Sequence, residues 1–334
     1  MSRPTVRALL AAGVLCIVAS AAHAADDRIT IMVGGIEKQI YLPAQLAARL
    51  GYFRAEGLDV ELLSEPSGVN AEDELLAGAV HAVVGFYDHT IDLQARGKSL
   101  MAVVQLSQAP GEVQLVSARM AAQIRSPADF RGRNLGVTGL GSSTNFLTRY
   151  LASAHGVKPS EIVTIPVGSG NTFIAAMRQG RIDAGMTTEP TVSRMLKSGE
   201  ATILVDLRSP EETQKALGGL YPGACLYLQT TWINAHRPAV QKLANAFVKA
   251  LRYIQSHSAE EIAAQVPPEY YAGDRELYVK ALAVGKGMFT PDGRMPATGP
   301  ATVLKILSAA NRNVQGKNID LSKTYSSEFV AAAR

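Results

Sequence analysis

Cysteine, aromatic residues and excess charge are all scarce in this chain. Cys16 and Cys225 are its two cysteines, aromatic residues make up 6%, and 33 lysine and arginine residues face 29 aspartate and glutamate residues. Two cysteines cannot build a disulfide framework or a cysteine-rich metal site. Because the charges nearly balance and the lysines and arginines do not cluster, we expect no nucleic-acid partner.

Long apolar runs are also missing, except at the N-terminus. Arg3 and Arg7 flank the start of an apolar stretch at 8–22, and Ala22 and Ala24 supply the small residues that a signal peptidase reads. This pattern predicts a secretory signal peptide at 1–24 and a periplasmic protein. The stretch is shorter than the roughly 20 residues of a spanning helix, so we expect no membrane insertion.

Cleavage after Ala24 leaves 334 − 24 = 310 residues. Loss of Arg3 and Arg7 brings the charge to 31 − 29 = +2. A chain of this length suits two lobes of ordinary domain size. Cys225 then has no partner for an intrachain disulfide, and we expect a monomer without cofactor or metal.

Short β-like runs alternate with helical periodicity along the chain. Strands are predicted at 29–33, 58–63, 79–84, 100–106, 113–117, 134–137, 162–167, 184–187, 202–207 and 225–231, and helices at 42–50, 71–77, 90–95, 144–153, 172–179 and 190–196, with a helical tail from 238. The alternation predicts an α/β protein with mostly parallel sheets. A turn-rich break at 107–112 separates two such units.

Five turns follow strands and open helices, two in the first unit and three in the second. In open α/β sheets, ligands bind outside the carboxyl ends of the strands. Two units that each present such turns predict a ligand cleft between two lobes. The candidate ligand-binding residues are Gly35, Glu37, Gln39, Phe86, Tyr87, Asp88, His89, Gly141, Ser142, Ser143, Thr144, Gly170, Asn171, Thr188, Glu189 and, from a lid-like loop, Tyr221.

The turn at 139–144 has the strongest chemical pattern. Its glycines allow close backbone approach, and its hydroxyls precede a helix whose first N–H groups are unpaired at the positive end of the dipole. Such a turn binds anions without a basic side chain, although the same residues also serve as a simple helix cap. It lacks the third glycine of a dinucleotide fingerprint and the lysine of a phosphate loop.

Several ordered motifs resemble the sulfonate-, nitrate-, taurine- and thiamine-precursor-binding proteins of ABC importers. They are YLPAQLAARLGYFRAEGLDV at 41–60, LLAGAVHAVV at 75–84, SPADFRG at 126–132, GVT at 136–138 with GSS at 141–143, and GRIDA at 180–184 with EP at 189–190. The resemblance spans about 30–210. In the first lobe His81 stands where the pattern has an acidic residue, which Asp183 keeps in the second.

The resemblance implies a type II periplasmic-binding-protein fold, with two lobes joined by two crossover segments. Lobe 1 is expected at 25–110 and 230–334, and lobe 2 at 111–229. It also implies that the cleft closes on a small ligand and that the protein delivers this ligand to an importer permease in the inner membrane.

Three functions stay open at this point. The helix start at Ser142 favours a small anion such as a sulfonate, nitrate or carboxylate, and this is the ligand class that we expect. Glu37, Asp88 and Glu189 favour instead a neutral or cationic heterocycle such as an aminopyrimidine. An enzyme is the third, because a relative in this family makes a pyrimidine precursor. We expect no enzyme, since G-x-S-x-G, H-E-x-x-H and cysteine clusters are missing from the sequence.

Overall fold

The computed structural model describes residues 28–334. The predicted signal peptide lies outside the described residues. This part of the chain forms ten strands. They are β1 (Ile29–Val33), β2 (Val60–Ser64), β3 (Ala82–Phe86), β4 (Leu100–Gln105), β5 (Glu112–Ser117), β6 (Asn134–Val137), β7 (Val163–Pro166), β8 (Ala184–Thr188), β9 (Ala201–Leu207) and β10 (Ala224–Gln229). Each of the ten predicted strands corresponds to one of them.

The strands build two five-stranded sheets. Their orders are β2-β1-β3-β10-β4 and β7-β6-β8-β5-β9. Four of the eight neighbouring pairs run parallel, fewer than the mostly parallel sheets that the sequence predicts. The other four are antiparallel, because β10 opposes β3 and β4, and β5 opposes β8 and β9. In each sheet the antiparallel strand is therefore the one that enters from the other sheet.

Fourteen α-helices lie in residues 28–334. They are α1 (Leu42–Arg49), α2 (Tyr52–Ala55), α3 (Gly68–Ala77), α4 (Asp88–Ala95), α5 (Ser143–Ala154), α6 (Asn171–Arg178), α7 (Thr191–Lys197), α8 (Pro210–Leu217), α9 (Thr230–Ala235), α10 (Arg237–Ser256), α11 (Ala259–Ala263), α12 (Arg275–Gly285), α13 (Gly299–Ala310) and α14 (Glu328–Ala331). The helices predicted from the sequence do not include α2, α8 and α9. Over the same residues, none of the helices combines the length and apolar character of a membrane span.

The first sheet with its helices forms lobe 1, and the second sheet with its helices forms lobe 2. The chain crosses between the sheets at 106–111 and again at 208–223. This confirms the two-lobed α/β architecture with two crossovers. The predicted end of lobe 2 at 229 needs correction, because β10 pairs with β3 and β4 of the first sheet. The sheet to which a strand belongs depends on its hydrogen-bond partners, and the sequence of the strand does not specify those partners.

Helix packing fixes how the two lobes meet. The 20-residue α10 buries one apolar face, including Leu243, Phe247 and Leu251, in the core of lobe 1. Across the lobe boundary α5 packs against α13. There the Arg149 guanidinium donates to the carbonyl of Ala310 at 3.1 Å. The lobes are therefore in direct contact beside the cleft.

Candidate functional site

The carboxyl ends of strands from both sheets meet at one cavity between the lobes, which we call the central cavity. β1 and β3 point into it from lobe 1, and β6 and β8 from lobe 2, as expected for open parallel sheets. Its lining comes equally from the two lobes: Lys38, Ile40, Tyr41, Gly68, Phe86 and His89 from lobe 1, and Glu112, Thr138, Ser142, Ser143, Thr144 and Thr188 from lobe 2.

The central cavity is nearly closed. Its free volume is about 10 Å³, the space of a single water molecule. Pockets that hold organic ligands usually measure roughly 300–1,000 Å³. In this structure the two lobes therefore leave no room for an organic ligand in the central cavity.

Glu112 is the central acidic group of this cavity. It opens β5 opposite Thr188 of β8 and is 1% exposed. One carboxylate oxygen accepts a 2.5 Å hydrogen bond from the hydroxyl of Ser143. Burial raises the pKa of Glu112 to about 8, against the lowering effect of that hydrogen bond, and the charge of Asp88 raises it further. At pH 7 the carboxyl group is therefore mostly protonated, and it ionises as the pH rises through 8.

Lys38 is the basic group of the same cavity. Its ammonium donates to the carbonyls of Gly34 at 2.5 Å and Pro66 at 3.1 Å. Burial lowers the pKa of Lys38 to about 8, although the charges of Glu37 and Glu112 act in the opposite direction. Lys38 and Glu112 thus face each other with similar pKa values.

Asp88 and His89 begin α4 at the edge of the cavity. Asp88 is fully buried and accepts a 2.6 Å hydrogen bond from the hydroxyl of Tyr221. Burial raises its pKa, although the charge of His89 lowers it. The imidazole of His89 lies between two carboxylates, 3.8 Å from Asp88 and 3.6 Å from Glu72.

Several buried polar atoms converge here with unused hydrogen-bonding capacity. Within residues 28–334, four atoms of the lining have no hydrogen-bond partner: Oε2 of Glu112, Oγ of Ser142, Oγ1 of Thr188 and Nε2 of His89. Oδ1 of Asp88, beside His89, shares this property over the same residues. A buried polar atom without a partner costs roughly 1–3 kcal/mol. A polar ligand would therefore gain the most binding free energy by forming hydrogen bonds to this cluster.

A second, more open crevice lies beside the central cavity, with a volume of about 380 Å³. Glu37, Gly170 and Asn171 line it. The hydroxyl of Ser169 donates to Glu37 across the lobe boundary at 3.4 Å. These three predicted residues therefore lie in one place, but apart from the hydroxyls of Ser142 and Ser143.

The side chains of three other predicted residues have structural partners. The hydroxyl of Tyr87 pairs with Thr324 at 2.5 Å inside lobe 1, and the amide of Gln39 donates to the carbonyl of Tyr278 at 3.0 Å. Glu189 accepts from Arg208 at 2.7 Å and from the hydroxyl of Ser193 at 2.9 Å. Their side chains therefore belong to the framework of the cleft.

Two predicted glycines shape the cleft through their backbone. Gly35 has φ of +109°, and a Cβ there would meet Cε of Lys38 at 2.4 Å. Gly141 has φ of +94° and packs against Val69 of the opposite lobe. Their role is to allow close approach. Phe86, His89, Ser142, Ser143, Thr144 and Thr188 are the predicted residues that line the central cavity itself.

The sequence interpretation missed Lys38, Tyr41 and Glu112. Lys38 lies in the turn at 34–39 after β1, which also contains the predicted residues Gly35, Glu37 and Gln39. Glu112 is an acidic residue at the start of an otherwise apolar strand, directly after a break between two units. That combination was the available signal, because a charge on a buried strand needs a partner.

Cys225 lies in β10 and is fully buried. Burial raises its pKa well above the ordinary value, so its thiol stays protonated and packs as an apolar group. In the part of the chain from Arg28 to Arg334, no group of three or more His, Cys, Asp and Glu side chains is placed to hold a metal ion.

Solved structures share this architecture. A protein from Bordetella bronchiseptica RB50 is 36% identical with a TM-score of 0.87, covering 91% of this chain and 96% of its own. The alkanesulfonate-binding protein SsuA of Xanthomonas axonopodis pv. citri, bound to MOPS, is 17% identical with a TM-score of 0.71, covering 90% and 98%. The periplasmic nitrate-binding protein NrtA of Synechocystis PCC 6803 is 14% identical with a TM-score of 0.73, covering 91% and 87%. The chain has the periplasmic-binding-protein fold.

A curated relative has a different activity. The 4-amino-5-hydroxymethyl-2-methylpyrimidine phosphate synthase THI13 of Saccharomyces cerevisiae is 26% identical over 166 residues, 49% of this chain and 46% of the yeast protein. The chain thus spans about half the length of that relative. The family profile described as NMT1/THI5 like matches residues 41–261. Because this match covers more than half of the sequence, the chain belongs to the NMT1/THI5-like family.

Proposed function

We propose that this protein is an exported solute-binding protein that closes its two lobes on a small nitrogen-rich ligand and delivers it to an ABC importer. The observation that carries the proposal is the buried carboxylate of Glu112. Its free oxygen faces the central cavity, and the buried carboxylate of Asp88 lies close by. A ligand with N–H donors, such as an aminopyrimidine, supplies the hydrogen bonds that both groups lack within residues 28–334.

The rest of the cavity suits a flat polar ring. Phe86 and Tyr41 form an aromatic wall, with their rings at 88° and 6.4 Å between centroids. On the opposite lobe the hydroxyls of Ser142 and Thr188 can donate or accept. Apolar faces with a few converging polar groups are typical of small-molecule sites.

A small anion is the second candidate, and the buried ammonium of Lys38 is the observation that favours it. The hydroxyl of Ser142 and the N-terminus of α5 stand on the opposite wall, where a delocalised anion would lie. The solved relatives that bind an alkanesulfonate and nitrate belong to this class. Ionised Glu112 would repel such a ligand, so this candidate requires Glu112 in its protonated form.

Isothermal titration of the mature chain at pH 7 separates the two candidates. The probes are 4-amino-5-hydroxymethyl-2-methylpyrimidine, ethanesulfonate and nitrate. We expect the pyrimidine to bind, and to bind more tightly when the titration is repeated at pH 9, above the pKa of Glu112. At pH 9 Glu112→Gln should weaken binding about tenfold or more, because the variant has no acceptor charge. Glu211→Gln on the exposed face of α8 removes the same charge elsewhere and serves as the control.

Binding of ethanesulfonate or nitrate without the pyrimidine, with equal or tighter binding in Glu112→Gln, would establish the anion candidate instead. If none of the three probes binds, the proposed ligand class is wrong. Mass spectrometry of the same incubations tests the binder against an enzyme: we expect each probe to be recovered unchanged, and a new product would show catalysis.

Export and the importer partner follow from the same proposal. The signal peptide predicts that the protein in the periplasmic fraction begins at Ala25, which N-terminal sequencing checks. When the lobes part and close, the distance between their outer surfaces changes. A permease that contacts both lobes would therefore distinguish the ligand-bound form from the free form. We propose that the exported form is a monomer, which light scattering on the purified protein tests.

A further inference from the structure

A large cavity lies at the end of lobe 1 that faces away from the cleft, and we call it the end cavity. Ile29 begins β1, Asp59 precedes β2 and His81 precedes β3, so these lining residues mark the amino ends of parallel strands. The central cavity lies at the carboxyl ends. Five-residue strands separate the two edges by roughly 15 Å at about 3.3 Å per residue.

An indole and two imidazoles form one wall of the end cavity. β10 runs antiparallel, so the chain after it reaches the same edge and places Trp232 there in α9. The ring of Trp232 stacks on His236 with 4.4 Å between centroids, and His81 lies 5.8 Å away. The cavity measures about 600 Å³, which is within the usual range for organic ligands.

The charges around this wall are mainly positive. Arg54 and Lys242 line the cavity, and neither forms an ion pair with any residue from 28 to 334. The one acidic lining residue, Asp59, is paired with Arg28 at 3.1 Å. Glu56, the acidic group whose pKa the charge of Lys242 lowers, is paired with Lys249. The cavity therefore combines a flat aromatic wall with two cationic side chains that form no ion pair of their own within residues 28–334.

His81 adds a hydrogen-bond donor of fixed orientation. Its Nδ1 lies 3.0 Å from the backbone N–H of Thr30 and accepts from it. Because that nitrogen is an acceptor, the proton of the neutral ring is on Nε2. In lobe 2, Asp183 has the same structural role, since its carboxylate accepts from the backbone N–H of Asn134 at 3.0 Å.

His81 in lobe 1 and Asp183 in lobe 2 show which part of this position supports the backbone and which part is free to recognise a ligand. An acceptor is all that the backbone needs at this position, and a carboxylate provides it in lobe 2. In lobe 1 the imidazole provides the acceptor and, in addition, an N–H donor and an aromatic face beside Trp232. A carboxylate at position 81 would place a negative charge at the edge of the end cavity.

We propose that the end cavity is a second ligand site, which binds a small aromatic carboxylate. The ring of the ligand lies against Trp232, and its carboxylate is held by Arg54, Lys242 and the Nε2–H of His81. The end cavity is separate from the central cavity. This proposal does not depend on which ligand the central cavity binds.

Trp232 is the only tryptophan of the sequence, so its indole N–H gives one cross-peak in ¹H–¹⁵N NMR spectra. We expect 2-naphthoate to shift this peak saturably, with a dissociation constant on the order of 0.1–1 mM for a ligand of that size. The neutral 2-naphthylmethanol and the cationic 2-naphthylmethylamine have the same ring system, and we expect each to bind at least about tenfold more weakly.

His81→Asp is the decisive variant, because aspartate can still accept from Thr30, as Asp183 does from Asn134. We expect naphthoate affinity to fall about tenfold in His81→Asp and about threefold in Lys242→Gln. Lys317→Gln, which removes an exposed charge elsewhere in lobe 1, is expected to leave it unchanged. The cleft variant Glu112→Gln should also leave the naphthoate titration unchanged, which separates this site from the proposed ligand of the central cavity.

The proposal is overturned if naphthoate produces no saturable shift up to about 10 mM. It is also overturned if all three naphthyl probes bind equally, or if His81→Asp, with its amide spectrum otherwise preserved, keeps the affinity of the wild type.

Discussion

The hydroxyl of Tyr221 donates a 2.6 Å hydrogen bond to the carboxylate of Asp88. Tyr221 belongs to the segment that returns from lobe 2, and Asp88 begins α4 of lobe 1. Both side chains are fully buried. The bond therefore fastens one of the two crossover segments to the edge of the ligand cleft.

Tyr221→Phe tests this fastening. The variant leaves the Asp88 carboxylate buried with one donor fewer, so we expect the free energy of unfolding to fall by about 1–3 kcal/mol. Urea denaturation measures it. A double-mutant cycle with Asp88→Asn should give a coupling energy above the experimental error. Tyr150→Phe, which removes a hydroxyl that has no hydrogen-bond partner in residues 28–334, serves as the control; an equal loss in both variants would contradict the prediction.

Gly139 is expected to permit closure of the lobes. A Cβ at this position would lie 2.9 Å from Oγ of Ser67 and 3.0 Å from Cγ1 of Val69, both in lobe 1. Gly139→Ala should therefore favour the open form and increase the radius of gyration measured by small-angle X-ray scattering. At Gly287 an added Cβ meets nothing in the described chain within 4 Å, so Gly287→Ala is the matched control. A radius equal to that of the wild type would count against the closure contact.

Ligand affinity should depend on pH in a direction that identifies the ligand class. The pKa values of Glu112 and Lys38 are both about 8, so the cavity loses positive charge as pH rises from 7 to 9. Affinity for an N–H donor should rise over this range, and affinity for an anion should fall. Titration calorimetry at both pH values measures the sign, and Glu112→Gln should leave only the smaller pH dependence that comes from Lys38. A flat wild-type profile would exclude Glu112 from the site.

The stability of the protein should respond to Glu112 with a defined sign. Its pKa is raised from the model-compound value of 4.5 to about 8. The contribution of this carboxyl group to the free energy of unfolding is therefore fully present below pH 4.5, and it is lost as the pH rises through 8. We expect Glu112→Gln to match the wild type near pH 4.5 and to be more stable by about 2 kcal/mol near pH 9. Thermal or urea unfolding of both proteins across this range checks it, with Glu211→Gln expected to show no such divergence.

Glu189 should matter for stability more than for binding. Arg208 and Ser193 already occupy its carboxylate oxygens, and Glu189 is 3% exposed. In Glu189→Gln the guanidinium of Arg208 keeps its ion pair with Asp206 but has a weaker partner at position 189. We therefore expect a loss of about 1–3 kcal/mol in the free energy of unfolding. Affinity for the cleft ligand should change less than about twofold. The reverse pattern, with stability kept and affinity lost, would return Glu189 to the ligand site.

Local patterns predicted most of the fold. The ten strands and the main helices follow from apolar runs of strand length, helical periodicity and the glycines that follow several of the helices. The short α8 lies in the return crossover and the short α9 follows β10. Neither is predicted, because six to eight residues are too few to show helical apolar periodicity. The sheet of β10 could not be predicted either, since an apolar strand fits the pairing edge of either lobe equally well.

The candidate site was predicted in its location more than in its chemistry. Ser142, Thr188 and His89 were selected because they follow strands, and the central cavity contains all three. Tyr87 was selected on the same ground, but its ring packs into lobe 1, since neighbouring residues at a helix start point in different directions. Glu112 was missed because its importance depends on Ser143 and Asp88, which are distant in sequence.

The sequence by itself determined an α/β chain with two units, an N-terminal segment typical of export, and glycine- and hydroxyl-rich turns at strand ends. These properties follow from residue order within short windows, where periodicity and turn chemistry act. Tertiary structure decided which turns meet, that Lys38 and Glu112 share one cavity with shifted pKa values, and that Trp232 and His81 form a wall at the opposite end. Such properties depend on burial and on partners distant in sequence, and only the packed chain creates them.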